Sequence, residues 1–231
     1  EDRCADDDWV QAALDLTEHL FWLDESEAWH WLIPRYVEGW AYSRPLRRGL
    51  QQTALRWCDR LSNSGKKRVK ILVVEGDWSL ALDERADLLD ELTKLERLGW
   101  MKGEGEGERG AILAWQRGRL SFERKDCAEA LAQYRRAENE LPAEGEALKL
   151  RLGEALNELA GELLWPQGRD DAVCSAEAEH ILHTVVAWLP DNQSAWYGYG
   201  AALWKGGNLP GAATAFQRAI ELDPKYATPH N

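Results

Sequence analysis

The closest approach to a catalytic or metal-binding pattern in this sequence is His180-x2-His183, with Glu177 and Glu179 nearby. Two histidines at this spacing lie about one turn apart on a helix, but a zinc site needs a third and usually a fourth ligand. We therefore interpret the histidines as a surface pair and predict neither a metal nor a cofactor.

Other chemical motifs are equally weak. Glycine and glutamate alternate over residues 103–108, but this stretch lacks the ligand order of a calcium-binding loop and reads as a solvated linker. No nucleophile elbow, phosphate-binding loop or dinucleotide fingerprint occurs. The four cysteines are widely spaced and form no C-x-x-C pair, which excludes a sequence-readable zinc or redox motif. We predict that the protein is not an enzyme.

The charge balance excludes two classes of partner. Forty Asp and Glu residues against 28 Lys and Arg give a formal net charge of −12. Nucleic acids and anionic membranes are bound through clustered basic side chains, so we predict neither as a partner. The sequence has no apolar run of the roughly 18 residues that span a bilayer. Its first residues are acidic, unlike a signal peptide, which predicts a cytoplasmic location.

A helical repeat supplies the strongest pattern, and it is clearest near the C-terminus. Small and aromatic residues recur there at spacings that let two antiparallel helices pack closely: Trp196, Gly200, Ala212, Phe216 and Ala219, followed by Pro224. The Gly-Gly-Asn-Leu-Pro sequence at 206–210 predicts the turn between the helices. A proline after the second helix is suited to end it.

This pattern resembles the tetratricopeptide repeat over residues 193–226, which has the family's length of 34 residues. A second unit at about 111–144 has Gly118, Ala130, Tyr134, Ala137 and Pro142 at the same spacings. The resemblance implies an all-α fold, a right-handed α-solenoid of antiparallel helix pairs. Tandem helical pairs of this kind stack side by side and bury a continuous core.

Two further units are less regular. Gly76-Asp77-Trp78 predicts the turn of a degenerate unit at about 62–99, and a helix is favoured for the Val69–Val74 run before it. Residues 145–192 predict a helix pair with a lengthened connection around Trp165 and Pro166. Residues 227–231 read as the start of another repeat, so we expect the chain to be a section of a longer array. Together the units make residues 62–231 a repeat array.

Residues 1–61 predict helices without the repeat pattern. Asp7 or Asp8 is expected to cap the first helix, Pro34 to kink or stop the second, and Pro45 to begin the third. The region is rich in aromatic residues, namely Trp22, Trp29, Trp31, Tyr36 and Trp40. A helical cap over the first repeat is the preferred interpretation, and a partner-binding surface is the alternative.

In the family that the sequence resembles, the first helix of each unit lines a concave groove. Helical spacing independently places the corresponding residues of each unit on one face. The predicted protein-binding or peptide-binding groove residues are Trp115, Arg119, Phe122, Leu150, Glu154, Asn157, Tyr197, Trp204 and Lys205. Lys66, Lys70 and Val73 are the corresponding candidates of the degenerate unit.

The sequence therefore predicts a module that binds another protein or peptide, with a partner of basic character because the chain is acidic. Two alternatives remain open. The layout of irregular and then regular repeats is faintly similar to the repeat sensor region of bacterial STAND-type signalling ATPases. Exposed tryptophans also leave room for a structural role in homo-oligomer assembly.

Overall fold

The computed structural model describes residues 4, 6–73, 82–103, 105–142, 145–165 and 171–223, with the backbone alone for Val73 and residues 171–175. The predicted turn around Gly76 lies outside these residues, as do Pro224 and the 227–231 segment. Within these ranges the fold is all-α, with eleven α-helices, one short 3₁₀ helix and no strand. The helices are α1 (Asp7–Leu23), α2 (Glu25–Ala41), α3 (Arg44–Trp57), the 3₁₀ helix (Cys58–Arg60), α4 (Asn63–Val73), α5 (Leu82–Arg97), α6 (Glu106–Glu123), α7 (Cys127–Glu140), α8 (Glu146–Leu164), α9 (Asp171–Trp188), α10 (Gln193–Lys205) and α11 (Leu209–Leu222).

Side-chain caps begin the three N-terminal helices. The carboxylate of Asp6 accepts from the backbone N–H groups of Asp8 and Trp9, so Asp6 caps α1. This corrects the expectation of Asp7 or Asp8, both of which lie in the first turn, where their charge favours the helix dipole. Asp24 caps α2 in the same manner, and Ser43 caps α3 just before Pro45. The prediction that α3 begins near Pro45 is confirmed.

Proline does not end α2. Pro34 lies inside the helix, which continues to Ala41, so the expected stop at this residue is wrong. An interior proline costs about 3 kcal/mol because it removes one backbone hydrogen bond. Extensive packing offsets that cost here, since the six residues from Tyr36 to Ala41 are all buried. Burial on every side of a helix means that α2 is an internal element rather than a surface cover.

Three helix pairs, α6–α7, α8–α9 and α10–α11, form the regular part of the solenoid and are each packed closely. Glycine makes the contact possible at both ends of this array. A Cβ atom at Gly118 would lie 2.4 Å from the ring of Tyr134, and one at Gly200 would lie 2.7 Å from the ring of Phe216. In these two units the repeat spacing therefore encodes a direct contact between helix backbone and aromatic ring.

The first helices of the pairs form one continuous layer, because α6 contacts α8 and α8 contacts α10. The second helices pack behind them, with α7 against α8 and α9 against α10. Before this array, α5 packs on α6 while α4 packs mainly on α3. The fold is thus a tetratricopeptide-like solenoid preceded by a bundle of N-terminal helices.

Helix α2 joins the bundle to the solenoid by packing against α6 and also against α8. Helix α2 and the neighbouring α5, α7 and α8 together bury eight consecutive residues of α6, from Arg109 to Gln116. A buried ion pair lies in this contact, with Arg109 Nη1 2.9 Å from Glu38 Oε1 and both side chains about one-twentieth exposed. The same guanidinium also donates two hydrogen bonds to the carbonyl of Met101. Both charged groups are therefore paired and hydrogen-bonded within the core.

Candidate protein-binding face

Helix α8 presents a stripe of exposed residues to solvent. Leu150, Glu154, Glu158 and Gly161 are exposed at spacings of three or four residues, and Trp165 follows the last turn. This spacing places them on one face of the helix. The opposite face carries the buried leucines that hold α8 in the core.

Two polar contacts place the exposed residues of α10 beside this stripe. The Asn157 amide donates to Ser194 Oγ across 3.3 Å. The Lys205 ammonium donates to the carbonyl of Leu164 and lies 4.3 Å from the centre of the Trp165 ring. The exposed faces of α8 and α10 are therefore one continuous surface. We call it, together with the adjoining C-terminal turns of α6, the inner face.

An open cleft of about 550 Å³ lies where α6 meets α8 on this surface. It is lined by Phe122 from α6 and by Glu158, Gly161, Glu162 and Trp165 from α8. Glu162 pairs with Lys125 at 3.6 Å, and both side chains are at least half exposed. The cleft combines two aromatic rings with two carboxylates.

One predicted groove residue lies in the core instead. Trp115 is only 3% exposed, so the expectation that it contacts a partner is corrected. It belongs to the stretch of α6 that packs against neighbouring helices on all sides, and the Arg119 and Arg151 guanidinium groups lie 5.7 and 5.9 Å from its ring centre. The repeat position of Trp115 specifies a face of α6, but other helices cover that face.

Arg119 lies at the border between the covered and open parts of α6 and is half-buried. It is close enough to the phenol of Tyr134 to affect its ionisation, as are Glu158 and Glu123. Burial raises the pKa of Tyr134 well above its ordinary value, and Glu158 and Glu123 raise it further against the opposing effect of Arg119. Glu123 also forms a two-point ion pair with Arg85 of α5, at 2.5 and 3.1 Å. This end of α6 is thus fixed by charge pairs.

Helix α10 contributes two large exposed aromatic residues. Tyr197 is 50% exposed and Trp204 is 56% exposed. The Tyr197 ring lies 5.5 Å from that of Phe216, which draws it toward α11 and away from α8. Trp204 precedes Lys205, whose side chain reaches α8.

Most N-terminal aromatic residues are core residues. Trp29 and Tyr36 are fully buried and Trp40 is 7% exposed. Trp31 is half-buried. Trp22, near the end of α1, is 71% exposed, and its ring packs edge-on against Trp57. The packing of the others agrees with a structural role for this region.

In the part of the chain that the structure describes, no group of three or more His, Cys, Asp or Glu side chains could hold a metal ion. His180 and His183 are both exposed on α9. No helix in the same residues has both the length and the apolar character needed to cross a bilayer.

Comparison with known families identifies the repeat. The sequence model of the tetratricopeptide repeat family matches residues 175–227, which include most of α9 and all of α10 and α11. This segment is similar to a tetratricopeptide repeat. No curated protein matches the chain. The repeat segment thus contains the exposed aromatic residues of α10 and the glycine–phenylalanine contact at Gly200.

Sequence reasoning missed the residues on the last turns of α8. Trp165 is 60% exposed and lines the cleft with Gly161 and Glu162. The sequence pattern instead assigned Trp165 to a lengthened connection between two helices. Helix α8 has 19 residues, whereas α10 has 13. The signal lay in the spacing: Gly161, Glu162 and Trp165 continue the helical positions of Asn157 and Glu158.

Proposed function

We propose that the inner face binds an extended segment of a partner protein. The observation that carries the proposal is the continuous exposed surface of α8 and α10, which presents Leu150, Trp165, Tyr197 and Trp204 to solvent. Large aromatic side chains are the commonest anchors of protein interfaces. Helical solenoids characteristically use such extended surfaces to hold other proteins.

The charge of this surface supports a partner of basic character. Glu154, Glu158 and Glu162 line one side of α8, and the first two form no ion pair with any described residue. A basic segment would be drawn to this face and oriented by it. The aromatic residues would then supply most of the binding free energy, with the carboxylates setting partner choice.

Selection from a displayed library of random linear peptides tests the proposal without knowledge of the natural partner. Peptides selected on the wild-type protein are titrated against Leu150→Ser and Trp204→Ser variants, and loss of an anchor is expected to weaken binding by about tenfold or more. Trp22→Ser is the matched control, because Trp22 is even more exposed, at 71%, but lies on α1. Equal loss in the control, or no loss in the inner-face variants, contradicts the proposal.

A further inference from the structure

The cleft between α6 and α8 has the chemistry of a subsite for one type of side chain. Its lining contains the rings of Phe122 and Trp165 and the carboxylates of Glu158 and Glu162, with no basic side chain among them. Its volume of about 550 Å³ is within the usual range for sites that enclose a ligand group. Aromatic rings beside carboxylates attract cations by two independent effects, through the ring quadrupole and through charge.

The protein's own lysines already demonstrate this preference. Lys205 Nζ lies 4.3 Å from the centre of the Trp165 ring, and Lys125 Nζ lies 5.7 Å from that of Phe122. Both distances are within the roughly 6 Å over which cation–π attraction acts. Lys205 is held at the edge of the cleft by the carbonyl of Leu164, and Lys125 is 73% exposed. Neither lysine lines the cleft itself.

One carboxylate of the cleft has no partner within the part of the chain that the structure describes. Glu158 is exposed and forms neither a hydrogen bond nor an ion pair there. Glu162 pairs with Lys125 only at 3.6 Å, a contact between exposed groups that contributes little stability. Glu158 therefore remains available to pair with an incoming cation.

Space for such a group is provided by Gly161, which lies between the two glutamates in the lining. A Cβ atom built at Gly161 would meet nothing within 4 Å. The helix surface at the floor of the cleft is therefore open to close approach by a ligand.

We propose that this cleft receives an arginine or lysine side chain of the bound segment. Its cationic group lies between the rings of Phe122 and Trp165 and pairs with Glu158. This inference rests on the proposed function, because the cleft is part of the inner face. It adds that one position of the bound segment carries a positive charge, whereas the other positions contact Leu150 and Trp204.

The test uses peptides selected on the wild-type protein and then changed at one residue. Citrulline replaces arginine, or norleucine replaces lysine, which removes the charge and keeps a similar shape. Wild-type protein is expected to bind the neutral peptide about tenfold more weakly, the effect of losing one charge-assisted contact. In a Glu158→Gln, Glu162→Gln variant the same replacement is expected to change affinity less than about twofold, because the two changes remove one interaction.

Glu27→Gln is the matched control, since Glu27 is an exposed carboxylate on α2. It should preserve the full difference between charged and neutral peptides, and thermal unfolding confirms that all variants are folded. Peptides that need Trp204 but bind equally well in charged and neutral forms overturn this inference and leave the proposed function standing. An equal charge effect in the Glu158→Gln, Glu162→Gln variant also overturns it. If no selected peptide depends on Leu150 or Trp204, the proposed function fails and the inference fails with it.

Discussion

Trp115 and Tyr197 hold the same place in their repeat units, three residues before the glycine that contacts the second helix, yet one is 3% exposed and the other 50%. Leu150 has the same place in the unit between them and is 49% exposed. The difference arises outside the repeats. Helix α2 packs on α6, and no comparable element among the described residues packs on the exposed face of α10.

The comparison shows that repeat position and function are separate properties. A first-helix residue contacts a partner only where the chain leaves its face uncovered. In this protein α6 is buried from Arg109 to Gln116, and its surface opens again near Phe122. The available face therefore begins at the cleft and continues over α8 and α10.

The largest test of the comparison replaces equivalent aromatic positions. Trp115→Ala is expected to lower the free energy of unfolding by about 3–5 kcal/mol, because it leaves a cavity in a packed core. Trp204→Ala, at 56% exposure, should change it by less than about 0.5 kcal/mol. Urea unfolding measures both. Similar losses in the two variants would falsify the distinction between the buried position of Trp115 and the exposed position of Trp204.

The buried charge pair provides the next test, because it joins α2 to α6. Glu38→Leu leaves the Arg109 guanidinium buried without its carboxylate and is expected to cost about 3 kcal/mol. Glu18→Leu is the matched control, since the Glu18–Arg56 pair has a similar 3.0 Å distance but side chains 44% and 56% exposed. Its loss should cost less than about 1 kcal/mol in the same urea measurement. If the two variants are equally stable, α2 does not depend on this pair.

Glycine substitutions give smaller effects of opposite sign. Gly118→Ala should destabilise by about 1–3 kcal/mol, because the fully buried Tyr134 ring cannot move away from the new methyl group. Gly200→Ala should cost less, since Phe216 is only partly buried at the open end. Gly161→Ala should instead stabilise by about 0.5–1 kcal/mol, because the site is helical and unobstructed. Thermal unfolding ranks the three, and a Gly200→Ala cost above that of Gly118→Ala contradicts the comparison.

The smallest expected effect is a loss of stability at alkaline pH, which is caused by the buried Tyr134 of α7. Burial raises the pKa of Tyr134 above its ordinary value near 10, so the folded state keeps this proton when the unfolded chain releases it. The unfolded state then binds fewer protons, and stability falls as pH rises above about 10. Tyr134→Phe removes this group, so the unfolding free energy of the variant should fall less steeply above that pH than the unfolding free energy of the wild type. An unchanged slope in the variant means that other groups cause the decline.

Much of the helical architecture could be predicted from local sequence. The Gly200–Phe216 and Gly118–Tyr134 contacts depend on residues about 16 positions apart in one helix pair, a spacing that the repeat pattern states directly. The position of α2 could not be predicted, because its contact with α6 joins segments without a shared period. Trp115 was misplaced for that reason. Trp165 was overlooked because the extra turns of α8 extend beyond the repeat pattern.

The contact between α2 and α6 also has a consequence for the order in which the protein acquires its structure. Glu38 and Arg109 are separated by 71 residues, whereas the contacts within each helix pair close over much shorter loops. Contacts between distant segments form more slowly than local ones. On the ribosome, the N-terminal helices emerge before α6 exists and must wait with Trp29, Tyr36 and Trp40 incompletely packed. Synthesis therefore exposes the aromatic N-terminal part of this chain before its contacts with α6 can form.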